Sequence, residues 1–376
     1  MATPGEFEII LFDKDRVRIG PVVGYTALSG SARFNALSAA TIKVHPAHRR
    51  AAQLQAPGSR VQINFRGRTL MTGKTTLAEG EGPGAGSYLS FEVQDDWRIF
   101  TNFLGWPVPG NAISSQTSAY DTRTGNAESV VKALVTANVS ARSVYPVTVA
   151  TNGNRGSSIT VLLRFDYLAE KLFPAVDLAG IGITAQLDPA TGNVVVDAYV
   201  PTDRTTTPLT VGSRVIQKYK FGVQAPTITR GVLGGQGDGT ARTFRTFLDS
   251  ARESAWGDTV EAFRDARDTS DAAVWTKREA ESLAEGAPKY WVDVTLAEAG
   301  KFRIGGTGGY WLGDKVTADV DVIAPVVDVL REVNFDVTMD GAKIGATIGR
   351  KNDAESATMK AIASLTRGLR ELYRSK

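Results

Sequence analysis

The sequence predicts an α+β fold that is mainly β, and three observations carry that prediction. Glycine clusters alternate with runs of Val, Ile and Thr, the pattern of strands joined by tight turns. Strand-like apolar patterning fills the first 95 or so residues and returns after Gly212. Helical spacing of apolar residues occurs between them, at Val130, Val131, Leu134 and Val135 and at Phe165, Leu168, Leu172 and Val176. A chain of 376 residues, 42% hydrophobic and 22% charged, has the length for two or three domains and the composition to bury their cores.

Phe7 to Phe12 is a nearly continuous apolar run, read as a buried strand. The turn-like Asp13-Lys14-Asp15-Arg16 precedes a return strand from Val17 that stops at Gly20-Pro21. Phe34 to Val44 reads as extended. Val61, Ile63 and Phe65 alternate with Gln62, Asn64 and Arg66, which gives a strand with one wet face. Gly67-Arg68 turns into Thr69 to Thr76, and Ser87 to Val93 is the next strand. Together these make one antiparallel β domain, barrel or sandwich. Asn126 is placed to cap the first helix. Ser158 to Leu163 is a strand candidate, and Ile181 to Leu187 with Val194 to Val200 form a hairpin about Asp188-Pro189-Ala190-Thr191-Gly192. Further on, Ser270 can cap a helix ending at Gly286 with Pro288 beyond. Val316 to Ile323 and Val326 to Val337 are strands, and Met339-Asp340-Gly341-Ala342 is an Asp-Gly hairpin signal. The tail is expected to be helical, with Ile362, Leu365, Leu369 and Leu372 on one seam. One echo recurs: Gly58-Ser59-Arg60-Val61, Gly212-Ser213-Arg214-Val215 and Gly313-Asp314-Lys315-Val316 each stand where a turn feeds a strand.

Composition excludes several function classes. The chain has no cysteine, so disulfides, thiolate metal sites and cysteine nucleophiles are ruled out. The net charge of +3 makes no global electrostatic case for nucleic acid or membrane. No run is apolar and long enough to cross a bilayer, and the N-terminal residues carry no signal-peptide pattern, so none is expected.

The most glycine-dense stretch is Val232-Leu-Gly-Gly-Gln-Gly-Asp-Gly-Thr-Ala-Arg-Thr243. A dinucleotide fingerprint fails there: after Gly235 and Gly237 the third glycine position is Thr240, and after Gly237 and Gly239 it is Arg242. No Lys-Ser or Lys-Thr follows, so it is no Walker A loop. A calcium repeat would need its Asp one place after Asp238. The remaining reading is a sharp bend or a close backbone approach, placed at the opening of the last β domain near a domain or subunit contact. Gly67 to Thr75 has one residue too many for a Walker A loop and is expected to be a hairpin. His45 and His48, the only histidines, read as an exposed loop without the further ligand that zinc needs. No Gly-x-Ser-x-Gly elbow is present. Asp95, Asp96, Asp265, Asp268 and Asp271 are expected in solvated turns and helix caps, not as a glycosidase pair held across a cleft. Arg230, Arg242, Arg245 and Arg252 either pair with such acids across a boundary or are solvated.

The order of features resembles one known group. Glu6-Phe-Glu-Ile-Ile-Leu-Phe-Asp13, Gly20-Pro-Val-Val-Gly24-Tyr25 and Arg33-Phe34-Asn35 resemble the opening of minor tail proteins from long-tailed phages (siphoviruses) of actinobacteria. Tyr120 to Asn138, Val232 to Arg242, Trp256-Gly257, Phe263 to Asp268 and Tyr310-Trp311-Leu312-Gly313-Asp314-Lys315-Val316 extend the resemblance over nearly the whole chain. It implies a tail-tip or baseplate hub, a homotrimer whose two β-barrel-like tube domains per subunit close the tail tube. The implied layout is residues 1–100 and 211–352 as β-barrel-like domains, the latter with an inserted helix. Residues 101–210 form a small α+β domain between them, and 353–376 a C-terminal helix. The implied partners are further copies of itself, a distal tail ring, the tape measure and distal tip or fibre proteins, with genome DNA only in transit. No enzyme activity, cofactor, metal or stable membrane association is expected. Turn or interface candidates are Gly234, Gly235, Gly237, Gly239, Arg242, Trp256, Tyr310, Trp311, Gly313 and Asp314. The rival readings are a tail-associated cell-wall hydrolase or peptidase and a receptor- or glycan-binding module.

Overall fold

The computed structural model describes residues 3–349 apart from 85, 145, 214, 297–301 and 321–324. The expected C-terminal helix lies outside the described residues. The chain forms two compact units, one of Met1–Tyr219 with Val294–Gly349 and one containing Lys220–Asp293.

In the first unit, β1 (Phe7–Phe12) is buried except at Glu8 and pairs antiparallel with β2 (Arg18–Pro21) and later with β5 (Arg60–Phe65). β3 (Ala27–Arg33) and β4 (Ala39–Val44) form the next antiparallel pair, followed by the short helix α1 (Ala51–Gln55). β5 turns at Arg66-Gly67 into the long β6 (Arg68–Glu81), so the Walker-like stretch is a hairpin, and β6 pairs with β7 (Tyr88–Asp95).

An α+β layer follows. It contains α2 (Arg98–Asn102), β8 (Leu104–Gly105), β9 (Asp121–Asn126), α3 (Ala127–Val135), β10 (Val147–Val149) and β11 (Ser158–Leu163). β12 (Asp166–Tyr167), α4 (Leu168–Leu178), β13 (Gly182–Leu187) and β14 (Val194–Tyr199) complete it. Val130, Val131, Leu134 and Val135 of α3 and Leu168, Leu172 and Val176 of α4 share one core with Trp97, Phe100, Ile183 and Val196. Phe165 does not join that helix face as its spacing suggests. It stands before α4 with φ 59°, its N–H donating to the Gly105 carbonyl at 2.7 Å. Asn126 is the residue before α3, but its side chain donates to the Gly156 carbonyl and does not cap the helix. Glu128 engages a neighbouring loop: its buried carboxylate accepts from the Gly153 and Arg155 amides and from Lys132 Nζ at 2.6 Å. Those partners hold the Glu128 carboxyl down at about 2, against the cost of its burial.

β15 (Leu209–Thr210) precedes β16 (Ile216–Gln224), along which the chain leaves for the second unit. There, β17 (Arg230–Gly234) is the central strand, antiparallel to β18 (Phe244–Leu248) and parallel to β19 (Glu261–Asp265). The crossover from β18 to β19 contains α5 (Ser250–Trp256), and α6 (Ala272–Glu285) follows. Its cap is Asp271, whose carboxylate accepts from the Ala273 amide at 2.8 Å, one residue later than the expected Ser270. Ile228, Leu233, Phe247 and Ala266 form this unit's own core, with Trp275 and Leu283 against it.

The chain returns along β20 (Lys289–Leu296), and β21 (Lys315–Asp319), β22 (Val326–Thr338) and β23 (Gly341–Gly349) follow. β22 and β23 make the expected Asp-Gly hairpin. β22 also pairs with β3 over seven residues, from Glu332 opposite Arg33 to Thr338 opposite Ala27. The large sheet therefore runs β23-β22-β3-β4-β7-β6-β5-β1-β2, continues past β23 through β20 and β16, and carries β21 on β22 and β15 on β21, beside the smaller sheets β10-β14-β13, β11-β9 and β12-β8. Phe7 packs on both Phe65 and Phe335, with ring centroids 4.6 and 5.7 Å apart. The mainly β, α+β character matches the sequence reading. β22 completes its hydrogen bonds on β3, so it belongs to the first unit. Each of the three echoed Gly-x-base-Val turns does lead into a strand, β5, β16 or β21.

Replacing Glu128 by Ala leaves Lys132 with Asp197 and the Thr151 carbonyl but removes the acceptor of the Gly153 and Arg155 amides. It is expected to cost about 1–3 kcal/mol of unfolding free energy, read by urea denaturation at pH 7. Because the folded carboxyl is depressed, its stabilisation is present above the ordinary carboxylate range and fades as pH falls toward about 2. The difference between wild type and variant should therefore shrink at pH 3.

Candidate functional site

The glycine-rich stretch is the hairpin between β17 and β18 in the second unit. Gly234 is the last residue of β17, paired with Phe244. The loop turns its backbone donors inward: the amides of Gly235, Ala241 and Thr243 bond the carbonyls of Thr243, Asp238 and Gln236 at 2.8, 3.0 and 3.0 Å. A phosphate cradle needs those donors free. A Cβ at Gly235 would lie 2.2 Å from the Trp275 ring, and Gly237, at φ 101°, would place one 2.4 Å from the Ala241 carbonyl oxygen. Gly239, at φ 53°, begins a single 3-10 turn and faces open space. Arg242 clasps the root of the hairpin. It donates to the carbonyls of Gly234 and Gly235, both at 3.1 Å, and to Asp265 Oδ1 at 2.8 Å, with the Phe244 and Phe263 rings on either hand. The stretch thus sits within the second unit's sheet.

The other arginines are spent the same way. Arg230 pairs with Glu253, Arg245 with Glu279, Arg252 with Asp249 and Arg278 with Asp268, all within the second unit. Trp256 ends α5, half-buried, before the left-handed Gly257. His45 is exposed as expected, while His48 is half-buried and its Nε2 lies 2.8 Å from the Val23 carbonyl oxygen.

Tyr310, Trp311, Gly313 and Asp314 form a separate node in the first unit. The Asp314 carboxylate is 4% exposed as a residue and accepts from three donors: the Thr202 amide at 3.1 Å, the Trp311 amide at 3.0 Å and Arg204 Nε at 2.8 Å. Arg204 also donates to the Gly309 carbonyl and lies over the Tyr310 ring. Arg68 stacks on Trp311, 3.9 Å from its centroid. Tyr199 donates its hydroxyl to the Leu312 carbonyl at 2.9 Å, and burial raises its pKa. Gly313, at φ 85°, would put a Cβ 2.3 Å from the Phe34 ring. The node fastens the chain from Thr202 to Arg204 against the turn that starts β21. Arg204, Tyr199 and Arg68 had no signal in the sequence, since each meets its partner more than a hundred residues away.

Asp95 and Asp96 depart from the solvated role read for them. Asp95 ends β7 and Asp96 follows it, beneath the α+β layer, and they are 8% and 1% exposed. Arg60 and the Thr72 hydroxyl both donate to Asp96. Among the described residues, no group of three or more His, Cys, Asp or Glu is placed to hold a metal ion.

These two sites are turns braced by ion pairs and rings, and the fold that holds them is that of phage tail proteins. A 43 kDa tail protein of prophage MuSo2 from Shewanella oneidensis superposes with a TM-score of 0.57 at 13% identity, over 91% of this chain and 98% of that one. A tail protein from Neisseria meningitidis gives 0.54 at 15% identity, over 92% and 97%. Prophage tail protein gp18 of Listeria monocytogenes gives 0.51 at 11% identity, over 96% and 99%. The sequence itself matches the profile of the Siphovirus ReqiPepy6 Gp37-like family over residues 8–350, and the chain belongs to that family. Comparison with curated proteins returns no sequence match.

If the glycines are scaffold, their substitutions should rank by geometry. Gly235→Val and Gly237→Val are each expected to cost about 1–3 kcal/mol through overpacking, more where backbone strain adds. Gly239→Ala should cost about 1 kcal/mol or less. Equal midpoints for all three in urea unfolding would contradict the assignment.

Proposed function

We propose that this protein is a structural component of the virion tail, acting at the tail tip as the hub that closes the tail tube. In this reading it is a homotrimer, each subunit supplying two β-barrel-like regions to a ring. It contacts a distal tail ring and the tape measure and attaches distal tip or fibre proteins. The observation that carries the proposal is the extent of the match: nearly the full length of this chain and of the solved tail proteins share one fold, and the family profile spans the same residues. The two candidate sites support it, because their charged groups serve to brace turns.

A shallow groove of about 420 Å³ on the sheet adds a second support. Ser29, Ser31, Thr41, Glu92 and Asn334 line it, and the one arginine there, Arg33, is paired with Glu332. Small polar and acidic side chains suit a wall past which DNA slides, since free basic groups would bind phosphate. We assign no catalytic role: Asp265 and Asp268, the carboxylates a hydrolase would use, are held by Arg242 and Arg278.

Imaging of intact virions with this protein labelled tests the proposal. Three copies at the distal end of the tube are expected, with subunit contacts burying on the order of a thousand Å² or more each. Label elsewhere on the particle, or a copy number that does not fit threefold symmetry, would overturn it. Glu92→Lys with Glu332→Lys is expected to leave tails assembled and lower DNA delivery, with the greatest loss at low salt.

A further inference from the structure

Within the first unit, the joint between the large sheet and the α+β layer is stitched by polar groups. The Ile183 amide donates to Asn35 Oδ1 at 2.8 Å, the Leu187 amide to the Thr72 hydroxyl at 2.8 Å, and Asn35 Nδ2 to the Ile181 carbonyl at 2.9 Å. A cavity lies in this joint, with about 50 Å³ of space for water and walls that include Ser38, Met71, Asp95, Trp97, Ala185 and Tyr199. Two polar atoms there have no hydrogen-bond partner among the described residues: Asp95 Oδ1 and the Trp97 indole Nε1. A buried carboxylate with an unsatisfied oxygen is costly when ionised and far less so when protonated.

The charges around Asp95 do not offset that cost. On its own strand, Glu92 lies on the opposite, exposed face. Asp96, next in sequence, is a like charge and is itself engaged by Arg60 from β5. Lys74 of β6 lies near Arg60, Arg98 of α2 and Asp96. Arg33 of β3 lines the cavity but pairs with Glu332. From the α+β layer the titratable wall residue is Tyr199, hydrogen-bonded to Leu312, and from the turn before β21 Asp314 is held by Arg204. Burial accordingly pushes the Asp95 carboxyl up to about 7, with Ser38 and the Trp97 amide offsetting only part of the rise.

We propose that Asp95 is a proton-operated latch on this joint. Protonated, its carboxyl stays in the cavity and the sheet and the α+β layer remain sealed. Ionised, it draws water in, and the hydrogen bonds that Ile183 and Leu187 make to Asn35 and Thr72 open more often. The sign follows from linkage. The folded carboxyl is raised above its ordinary value of 3.8, so the stabilisation of the closed joint is full below that value. It is lost as pH rises to about 7 and is flat beyond. This is a property of the single chain and does not rest on the tail-tip assignment.

Amide hydrogen exchange at Ile183 and Leu187, corrected for intrinsic rates, tests the latch. Between pH 6 and pH 8 their opening is expected to rise about tenfold in the wild type and to stay constant in Asp95→Asn. An undiminished rise in Asp95→Asn would overturn the proposal. Should that variant fail to fold, a carbon-13 carboxyl titration of the intact wild type decides the matter. A midpoint near 7 for Asp95 supports the latch, and one near the ordinary aspartate value overturns it.

Discussion

The pairing of β22 with β3 is the constraint on which the first unit depends. It joins residues about three hundred positions apart in seven consecutive register steps, so the N-terminal and C-terminal strands become one sheet. β3 has little of its own to hold it: Ala-Leu-Ser-Gly-Ser-Ala-Arg buries only Leu28 and Ala32. Its backbone groups are satisfied because β4 flanks it on one side and β22 on the other. The same pairing brings Phe335 onto Phe7, and Arg331 within 2.8 Å of Asp177 at the edge of the α+β layer. Loop closure over so long a separation costs entropy. The gain is a shared apolar core and a continuous ladder that neither half could complete alone.

Polar contacts then set how the layers meet. Asn35 reaches Asp177 and the backbone on both sides of Gly182, Thr72 reaches Leu187, and Asp314 gathers Thr202, Arg204 and Trp311. Such contacts add less net stability than apolar burial, but their geometry admits few alternatives. At the Asp95 cavity this scheme is incomplete, with Asp95 Oδ1 and Trp97 Nε1 both left without a partner among the described residues.

What the sequence makes legible follows physical locality. β1 and β11 lie at the expected residues because continuous or alternating apolar runs declare themselves. The hairpins at Asp188 to Gly192 and at Asp340-Gly341 declare themselves through turn chemistry. β3 gave no such signal, since its strand character is supplied by its neighbours. The parallel pairing of β17 with β19 was equally silent, because parallel ladders carry no turn signature. Of the candidate sites, the bend at Gly235 and Gly237 and the turn at Gly313 could be read, whereas their braces, Trp275 for the first and Arg204 and Phe34 for the second, could not. Two adjacent carboxylates at the end of a strand look like a solvated turn, and only the layer above reveals the burial of Asp95 and Asp96.

The central claim is that the first and last strands are one cooperative unit while residues 220–293 form another. Native-state hydrogen exchange in rising denaturant measures this directly, since amides that open together share one free energy and one denaturant slope. The account predicts that amides of β3 and β22 converge on a single opening, distinct from that of β17, β18 and β19. Exchange of β22 together with β17 to β19, while β3 stays protected, would contradict it.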